Sequence, residues 1–148
     1  MTLPSDFREF IECLNAREVE YILLGGYAVV AYGHVRTTGD IDFWVNPTEE
    51  NAQRVIKARS DFGFRFSNLT TLDFTTSDHV VQLGYPPLRI DIMTSTSGLI
   101  FDEAYSRRND MQIDGLQVKV IGLDDLKKNK REAGRKKDLG DLENLPDE

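Results

Sequence analysis

Apolar side chains recur at three- and four-residue spacing in several stretches of the chain, which is typical of helices with one buried face. This pattern predicts six helices, at 5–17, 28–32, 48–60, 100–108, 123–133 and 138–145. Ser5, Thr48 and Asp138 are predicted N-caps, because their short side chains accept hydrogen bonds from free backbone N–H groups. Gly33 and Gly134 are predicted to end two of these helices, because glycine readily adopts the left-handed conformation of a helix end.

Shorter apolar runs predict the strands. They lie at 20–24, 40–45, 80–83 and 88–93, followed by a hairpin over 111–120. Asp114-Gly115 is a favoured tight turn for that hairpin, and the prolines within 85–87 turn the chain between two strands. Residues 61–76 fit neither period, although Phe62, Phe64 and Phe66 alternate with other residues. The order of the strands in the sheet does not follow from periodicity.

Length and composition narrow the class of protein. With 148 residues, 40% hydrophobic and 29% charged, we expect a single domain over residues 1–148 with an α/β or α+β fold. No apolar run approaches the ~20 residues that span a membrane, and no signal-peptide pattern is seen, so a cytoplasmic location is expected. A net charge of −7 disfavours indiscriminate nucleic-acid binding. The single cysteine, Cys13, excludes an internal disulfide and a cysteine metal cluster.

Two aspartates stand at the start of the apolar strand predicted at 40–45. Because strand side chains alternate between faces, Asp40 and Asp42 leave on the same face, ~7 Å apart at the backbone. Ile41 and Phe43 take the opposite face, where burial is favourable. Two like charges side by side repel and raise each other's proton affinity. This pair therefore needs a counter-charge, and a divalent cation such as Mg²⁺ is the usual one.

A third aspartate, Asp91, lies between isoleucines in the strand predicted at 88–93, where burial without a partner is costly. If that strand lies beside the strand at 40–45, three carboxylates converge in the arrangement needed to hold two Mg²⁺ ions. The alternative is that Asp91 pairs with a nearby arginine and that Asp40 caps a turn.

A double glycine, Gly25-Gly26, joins the first predicted strand to the helix that follows. Backbone N–H groups at a helix N-terminus bind phosphate, and the missing Cβ of glycine allows a close approach. Tight packing is the alternative explanation for the pair.

Together, Gly25-Gly26 and Asp40-Ile41-Asp42 resemble the active-site signature of the nucleotidyltransferase superfamily. This superfamily includes DNA polymerase β-like enzymes, antibiotic nucleotidyltransferases and AbiEii-type toxins. The segment Arg36-Thr37-Thr38, just before the two acids, resembles the sequence found there in the small AbiEii-like branch. The resemblance implies a minimal nucleotidyltransferase fold, a small mixed sheet with helices mainly on one face. It implies two Mg²⁺ ions, or Mn²⁺, on three catalytic residues, Asp40, Asp42 and Asp91. It also implies that the NTP is bound by Gly25, Gly26, Arg36 and Thr38.

A basic strip lies within residues 127–137. For a charge run alone, a solvated helix face is the plain interpretation. The stretch 129–142 also resembles the ending of AbiEii-like and related small nucleotidyltransferases, and the similarity falls on Lys130, Arg135, Asp138 and Asp141. It implies that Lys130 and Arg135 neutralise triphosphate charge. The alternatives are that Asp138 is only a helix cap and that Asp141 is a solvated partner of Lys137.

The resemblance implies a metal-dependent nucleotidyltransferase that moves NMP from an NTP to an acceptor hydroxyl. A toxin-type enzyme that acts on tRNA or another RNA, with an antitoxin partner or as a homodimer, is a second hypothesis. The alternative is a catalytically inactive module of the same fold that binds nucleotides or proteins.

Overall fold

The computed structural model describes residues 1–34, 36, 38–63, 68–85 and 87–147. The helices in this part of the chain are α1 (Ser5–Ala16), α2 (Gly25–Ala31), α3 (Glu49–Phe62), α4 (Leu72–Thr75), α5 (Phe101–Ser106), α6 (Leu123–Ala133) and α7 (Lys136–Asn144). The strands are β1 (Tyr21–Leu24), β2 (Asp40–Val45), β3 (Val80–Tyr85), β4 (Leu88–Met93), β5 (Asn109–Ile113) and β6 (Leu116–Val120).

The six described strands form one mixed sheet in the order β3-β4-β2-β1-β6-β5. Strand β2 pairs antiparallel with β1 and parallel with β4. Strand β1 pairs parallel with β6, and both outer strands pair antiparallel with their neighbours. This mixed sheet with its helices confirms the predicted fold class. The acid-bearing strand β2 is central, so residues of β1 and β4 flank its side chains on both sides.

Most element boundaries agree with the sequence pattern. Thr48 caps α3 by accepting a hydrogen bond from the backbone N–H of Asn51 at 3.2 Å. The left-handed Gly134, with φ of 66°, ends α6 as predicted. Asp114 and Gly115 have φ of 51° and 79°, which is the left-handed pair that a tight hairpin turn requires.

Several local predictions are wrong. Ser5 is the first residue of α1 rather than its N-cap, and no side chain caps that helix. Helix α2 begins directly at Gly25, and α7 begins at Lys136, so Asp138 lies inside its first turn. The short helix α4 was not predicted. Four residues of predicted features lie outside the described residues: Thr37 of the Arg36-Thr37-Thr38 segment, Phe64 and Phe66 of the alternating phenylalanines, and Pro86 of the predicted turn.

The core holds β2 in register. Ile41 and Phe43 are fully buried, and the Phe43 ring lies 5.7 Å from the Phe10 ring of α1 between centroids. A one-residue slip of β2 would exchange its faces and bury Asp40 and Asp42 in this apolar layer. Burial of Ile41 and Phe43 therefore keeps both carboxylates on the opposite face. None of the helices in the described ranges has the length and apolar character needed to cross a bilayer.

Candidate active site

Three aspartates converge on one face of the sheet. In the parallel pairing of β2 with β4, Asp42 lies opposite Asp91 and Asp40 lies opposite Arg89. This places the strand that carries Asp91 directly beside the strand that carries Asp40 and Asp42, which is the condition on which the sequence argument depended. The structure thus brings the three predicted catalytic carboxylates together.

An arginine joins two of these carboxylates. The Nε atom of Arg89 donates to Oδ1 of Asp91 at 2.8 Å, and its Nη2 atom donates to Oδ2 of Asp91 at 3.0 Å. The same Nη2 atom donates to Oδ2 of Asp40 at 2.9 Å. The hydrogen bonds to Asp91 are the main reason that the pKa of Arg89 is raised. The hypothesis that Asp91 pairs with a nearby arginine is therefore correct, and it holds together with the convergence of the acids.

Asp42 is held in an unfavourable environment for a negative charge. Burial, followed by the charges of Asp91 and Asp40, raises the pKa of Asp42 from 3.8 to about 6. Gly25 contributes to this burial by its close approach, since a Cβ atom at position 25 would lie 2.1 Å from Oδ2 of Asp42. The anionic form of Asp42 is thus stabilised by any cation that enters here.

These groups open into a polar cleft of about 270 Å³. Its lining includes the carboxylates of Asp40, Asp42, Asp91 and Asp138 and the basic groups of Arg89, Lys130, Arg135 and Lys137. The formal charges of these eight side chains cancel, four against four. A triphosphate entering this cleft therefore meets no net positive charge unless it brings cations with it.

The basic strip of α6 and α7 is built around a buried lysine. Lys130 is only 5% exposed, and its Nζ lies 3.3 Å from Oδ1 of Asp138 and 3.1 Å from Oδ2 of Asp141. Both aspartates are buried, so the interpretation of Asp141 as a solvated partner of Lys137 is wrong. Asp141 also forms an ion pair with Arg36.

Asp138 links the two helices and the cleft. Its Oδ2 atom accepts hydrogen bonds from the backbone N–H of Arg135 at 3.3 Å and from Arg135 Nε at 2.7 Å. Burial by itself would raise the pKa of Asp138, but Arg135 and Lys130 outweigh it, so this pKa lies below its ordinary value. Asp138 is thus both a first-turn acceptor in α7 and a counter-ion for two of the predicted triphosphate ligands.

The predicted nucleotide-binding residues separate into two groups. Gly25, Lys130 and Arg135 line the cleft. Among the described residues, the other three, Gly26, Arg36 and Thr38, do not line it. Gly26 leaves room for Thr38, whose Oγ1 would lie 2.8 Å from a Cβ atom at position 26. The Thr38 hydroxyl donates to the backbone carbonyl of Asp40 at 3.2 Å.

Lys137 also lines the cleft, although it was predicted only as a solvated partner of Asp141 and not as a nucleotide-binding residue. It is exposed and lies close enough to Asp42 for its charge to lower that pKa. Among the basic side chains that line the cleft, it is the one with no carboxylate within 4.0 Å in the described ranges. The spacing of Lys130, Arg135 and Lys137 along the sequence does not show which of them pair with carboxylates, because ion pairing depends on how the helices pack.

The carboxylates do not form a finished metal site. Across the described ranges, no three Asp, Glu, His or Cys side chains stand in an arrangement that holds a metal ion as they are placed. At this cleft the guanidinium of Arg89 bonds both Asp40 and Asp91. The donor chemistry nevertheless fits Mg²⁺ or Mn²⁺, which favour carboxylate oxygens together with substrate phosphates. Metal binding by Asp40, Asp42 and Asp91 therefore stays a prediction.

Two crystal structures are among those that share this fold. One is TM1012 from Thermotoga maritima, named a nucleotidyltransferase, with a TM-score of 0.63 and 18% identity over 93% of this chain and 88% of that chain. The other is the lincosamide antibiotic adenylyltransferase LnuA with lincomycin bound, with a TM-score of 0.64 and 17% identity over 97% of this chain and 96% of that chain. At these identities the likeness concerns the fold, which is that of a nucleotidyltransferase.

Sequence similarity assigns the chain to a protein family. It belongs to the family described as "Nucleotidyl transferase of unknown function (DUF2204)", whose match extends over residues 4–147. No curated protein matches the sequence significantly.

Proposed function

We propose that this protein transfers NMP from an NTP to an acceptor hydroxyl with the help of divalent cations. The observation that carries the proposal is the in-register placement of Asp42 opposite Asp91, with Asp40 on the same face of β2. Family membership supports the class of reaction.

The charges of the cleft support a metal requirement. Lys130, Arg135 and Arg89 already pair with aspartates, so a triphosphate of about four negative charges needs further cations for neutralisation. Asp40, Asp42 and Asp91 would hold two Mg²⁺ ions, or Mn²⁺ in their place. Bound there, the ions would neutralise the phosphates and activate the displacement at the α-phosphorus.

The chain's own residues would bind and orient the nucleotide. Lys137 presents an exposed side chain at the cleft for the triphosphate. Arg135 keeps an exposed guanidinium, with 64% of its side chain accessible, while Asp138 fixes its position. Gly25, without a side chain, lets a phosphate approach the backbone beside Asp42.

The reaction is a direct displacement. The acceptor oxygen forms a bond to the α-phosphorus as the bond between the α-phosphorus and its bridging oxygen breaks. The electron pair of that bond leaves with pyrophosphate, and the acceptor hydroxyl gives its proton to solvent water. No covalent intermediate on the enzyme is required.

Two classes of molecule could supply the acceptor hydroxyl in this reaction. The AbiEii-like interpretation proposes tRNA or another RNA as acceptor in the cytoplasm, with an antitoxin partner or a second copy of the chain. The neighbour LnuA is a lincosamide antibiotic adenylyltransferase with lincomycin bound. By analogy, the acceptor of this protein would be a hydroxyl group of a small molecule. Both are hydroxyl acceptors for the same displacement, so one assay distinguishes them.

The test is incubation with each α-labelled NTP, Mg²⁺ or Mn²⁺, and either total tRNA or the small-molecule fraction of a cell extract. Label is expected to move to one acceptor in the wild type and not in the Asp40→Ala/Asp42→Ala double variant. Asp102→Asn, an exposed aspartate of α5 outside the cleft, is the control and should transfer normally. Binding of metal and NTP without any transfer would favour a binding module of the same fold.

A further inference from the structure

Arg89 occupies a position that the proposed chemistry does not explain. It lies in register opposite Asp40, two residues before Asp91 on the same strand face. Its guanidinium makes three hydrogen bonds of 2.8–3.0 Å to these two carboxylates. A single guanidinium thus bridges the two acids that flank Asp42 at the centre of the candidate metal site, and its one positive charge offsets one of their two negative charges.

The two halves of this contact differ in strength. The bond to Asp91 is bidentate, and the Asp91 side chain is 10% exposed, whereas the bond to Asp40 is single and the Asp40 side chain is 42% exposed. Bidentate, buried pairs hold their geometry better than single, exposed ones. The contact with Asp40 is therefore the one that an incoming cation displaces more easily.

Arg89 and a divalent cation compete for the same charges. Each carboxylate oxygen has a second lone pair for a metal, but a guanidinium a few ångströms from a divalent ion repels it strongly in a partly buried cleft. The cancelled charges of the cleft lining also leave little net attraction for a free cation. A cation that arrives with a triphosphate brings its own compensating negative charge.

We propose that Arg89 is a positioning residue that holds Asp91 for metal binding and suppresses capture of free divalent cations until nucleotide is present. This inference rests on the proposed function, because it assumes that Asp40, Asp42 and Asp91 are the metal ligands. On entry of the metal with the nucleotide, Arg89 releases Asp40 and keeps its two bonds to Asp91. Metal and NTP therefore bind with positive cooperativity in the wild type.

The experiment measures Mn²⁺ binding by electron paramagnetic resonance, with and without a non-hydrolysable NTP analogue. Arg89→Met removes the charge but keeps an aliphatic stem, so its affinity for free Mn²⁺ should rise at least tenfold. Arg89→Lys keeps the charge and should stay within about threefold of the wild type. Loss of Arg89 should also reduce the gain in Mn²⁺ affinity that the NTP analogue confers.

Arg107 supplies a matched control. It makes a bidentate pair with the buried Asp125, with both bonds at 3.0 Å, and neither residue lines the cleft. Arg107→Met loses a pair of similar geometry, and its Mn²⁺ affinity should not change. If Arg89→Met does not fold, Arg89→Gln gives the same comparison with a polar side chain.

Two outcomes separate this inference from the proposed function. If the wild type binds Mn²⁺ with the analogue but Arg89→Met binds free Mn²⁺ no more tightly than the wild type, the role of Arg89 is wrong and the metal site stands. If neither protein binds Mn²⁺ with or without the analogue, the metal site and the role of Arg89 both fail.

Discussion

Gly25 lies so close to Asp42 that a Cβ atom at position 25 would stand 2.1 Å from the Asp42 Oδ2 atom. Gly25 also has φ of 66°, a left-handed conformation that non-glycine residues adopt at a cost. The first residue of α2 thus determines how deeply the Asp42 carboxylate is enclosed, and a side chain there must displace it.

Gly25→Ala is expected to destabilise the fold by about 2–4 kcal/mol, from backbone strain and from overpacking against Asp42. Gly134→Ala is the control, because Gly134 has the same φ of 66° and the atom nearest to an added Cβ, the Arg131 carbonyl oxygen, lies at 3.6 Å. That control bears backbone strain alone, about 1–2 kcal/mol. Urea unfolding of both variants measures the difference, and equal losses would show that contact with Asp42 adds nothing.

Lys130→Met is expected to cost about 3–5 kcal/mol of stability, because it leaves two buried carboxylates without their shared cation. Lys128→Met changes an exposed lysine of the same helix and should cost less than about 0.5 kcal/mol. Chemical denaturation checks both. A small loss at Lys130 would show that Asp138 and Asp141 do not depend on it, and would favour a role limited to the triphosphate.

Lys137→Ala is expected to weaken binding of a Mg²⁺–NTP complex about tenfold or more, the effect of one lost charge-assisted contact. The thermal stability should change little, because Lys137 has an exposed side chain. Lys136→Ala, the exposed neighbour outside the cleft lining, is the matched control. Calorimetric titration gives both affinities, and equal effects from the two lysines would indicate general surface charge rather than a phosphate contact.

Asp42→Asn is expected to change how stability depends on pH in metal-free buffer. Because burial and the neighbouring acids raise the pKa of Asp42 from 3.8 to about 6, the folded state binds a proton more tightly than the unfolded state. The wild type therefore loses stability as pH rises from about 4 to about 6, by about 3 kcal/mol.

The asparagine side chain does not ionise, so the variant escapes this loss. At pH 8 in EDTA, Asp42→Asn should be more stable than the wild type, and at pH 4 the two should unfold alike. Denaturant titrations across this range provide the measurement. A difference that stays constant from pH 4 to pH 8 would place its origin in packing rather than in ionisation.

Local sequence determined the features that depend on neighbouring residues. Alternation along β2 was enough to place Asp40 and Asp42 on one face and Ile41 on the other. The end of α6 at Gly134 and the Asp114-Gly115 turn followed from backbone preferences of the residues themselves. These are short-range effects, so a single chain segment contains the information needed to predict them.

Only the tertiary structure decided which distant groups meet. Pairing of β2 with β4 brought Asp91 opposite Asp42 and Arg89 opposite Asp40, and strand pairing joins segments 49 residues apart in the chain. Packing of α7 against α6 buried Lys130 and left Lys137 exposed at the cleft, although both lie in one basic strip. Ion pairing depends on distance in space and on burial, and the spacing of charges along a sequence contains neither.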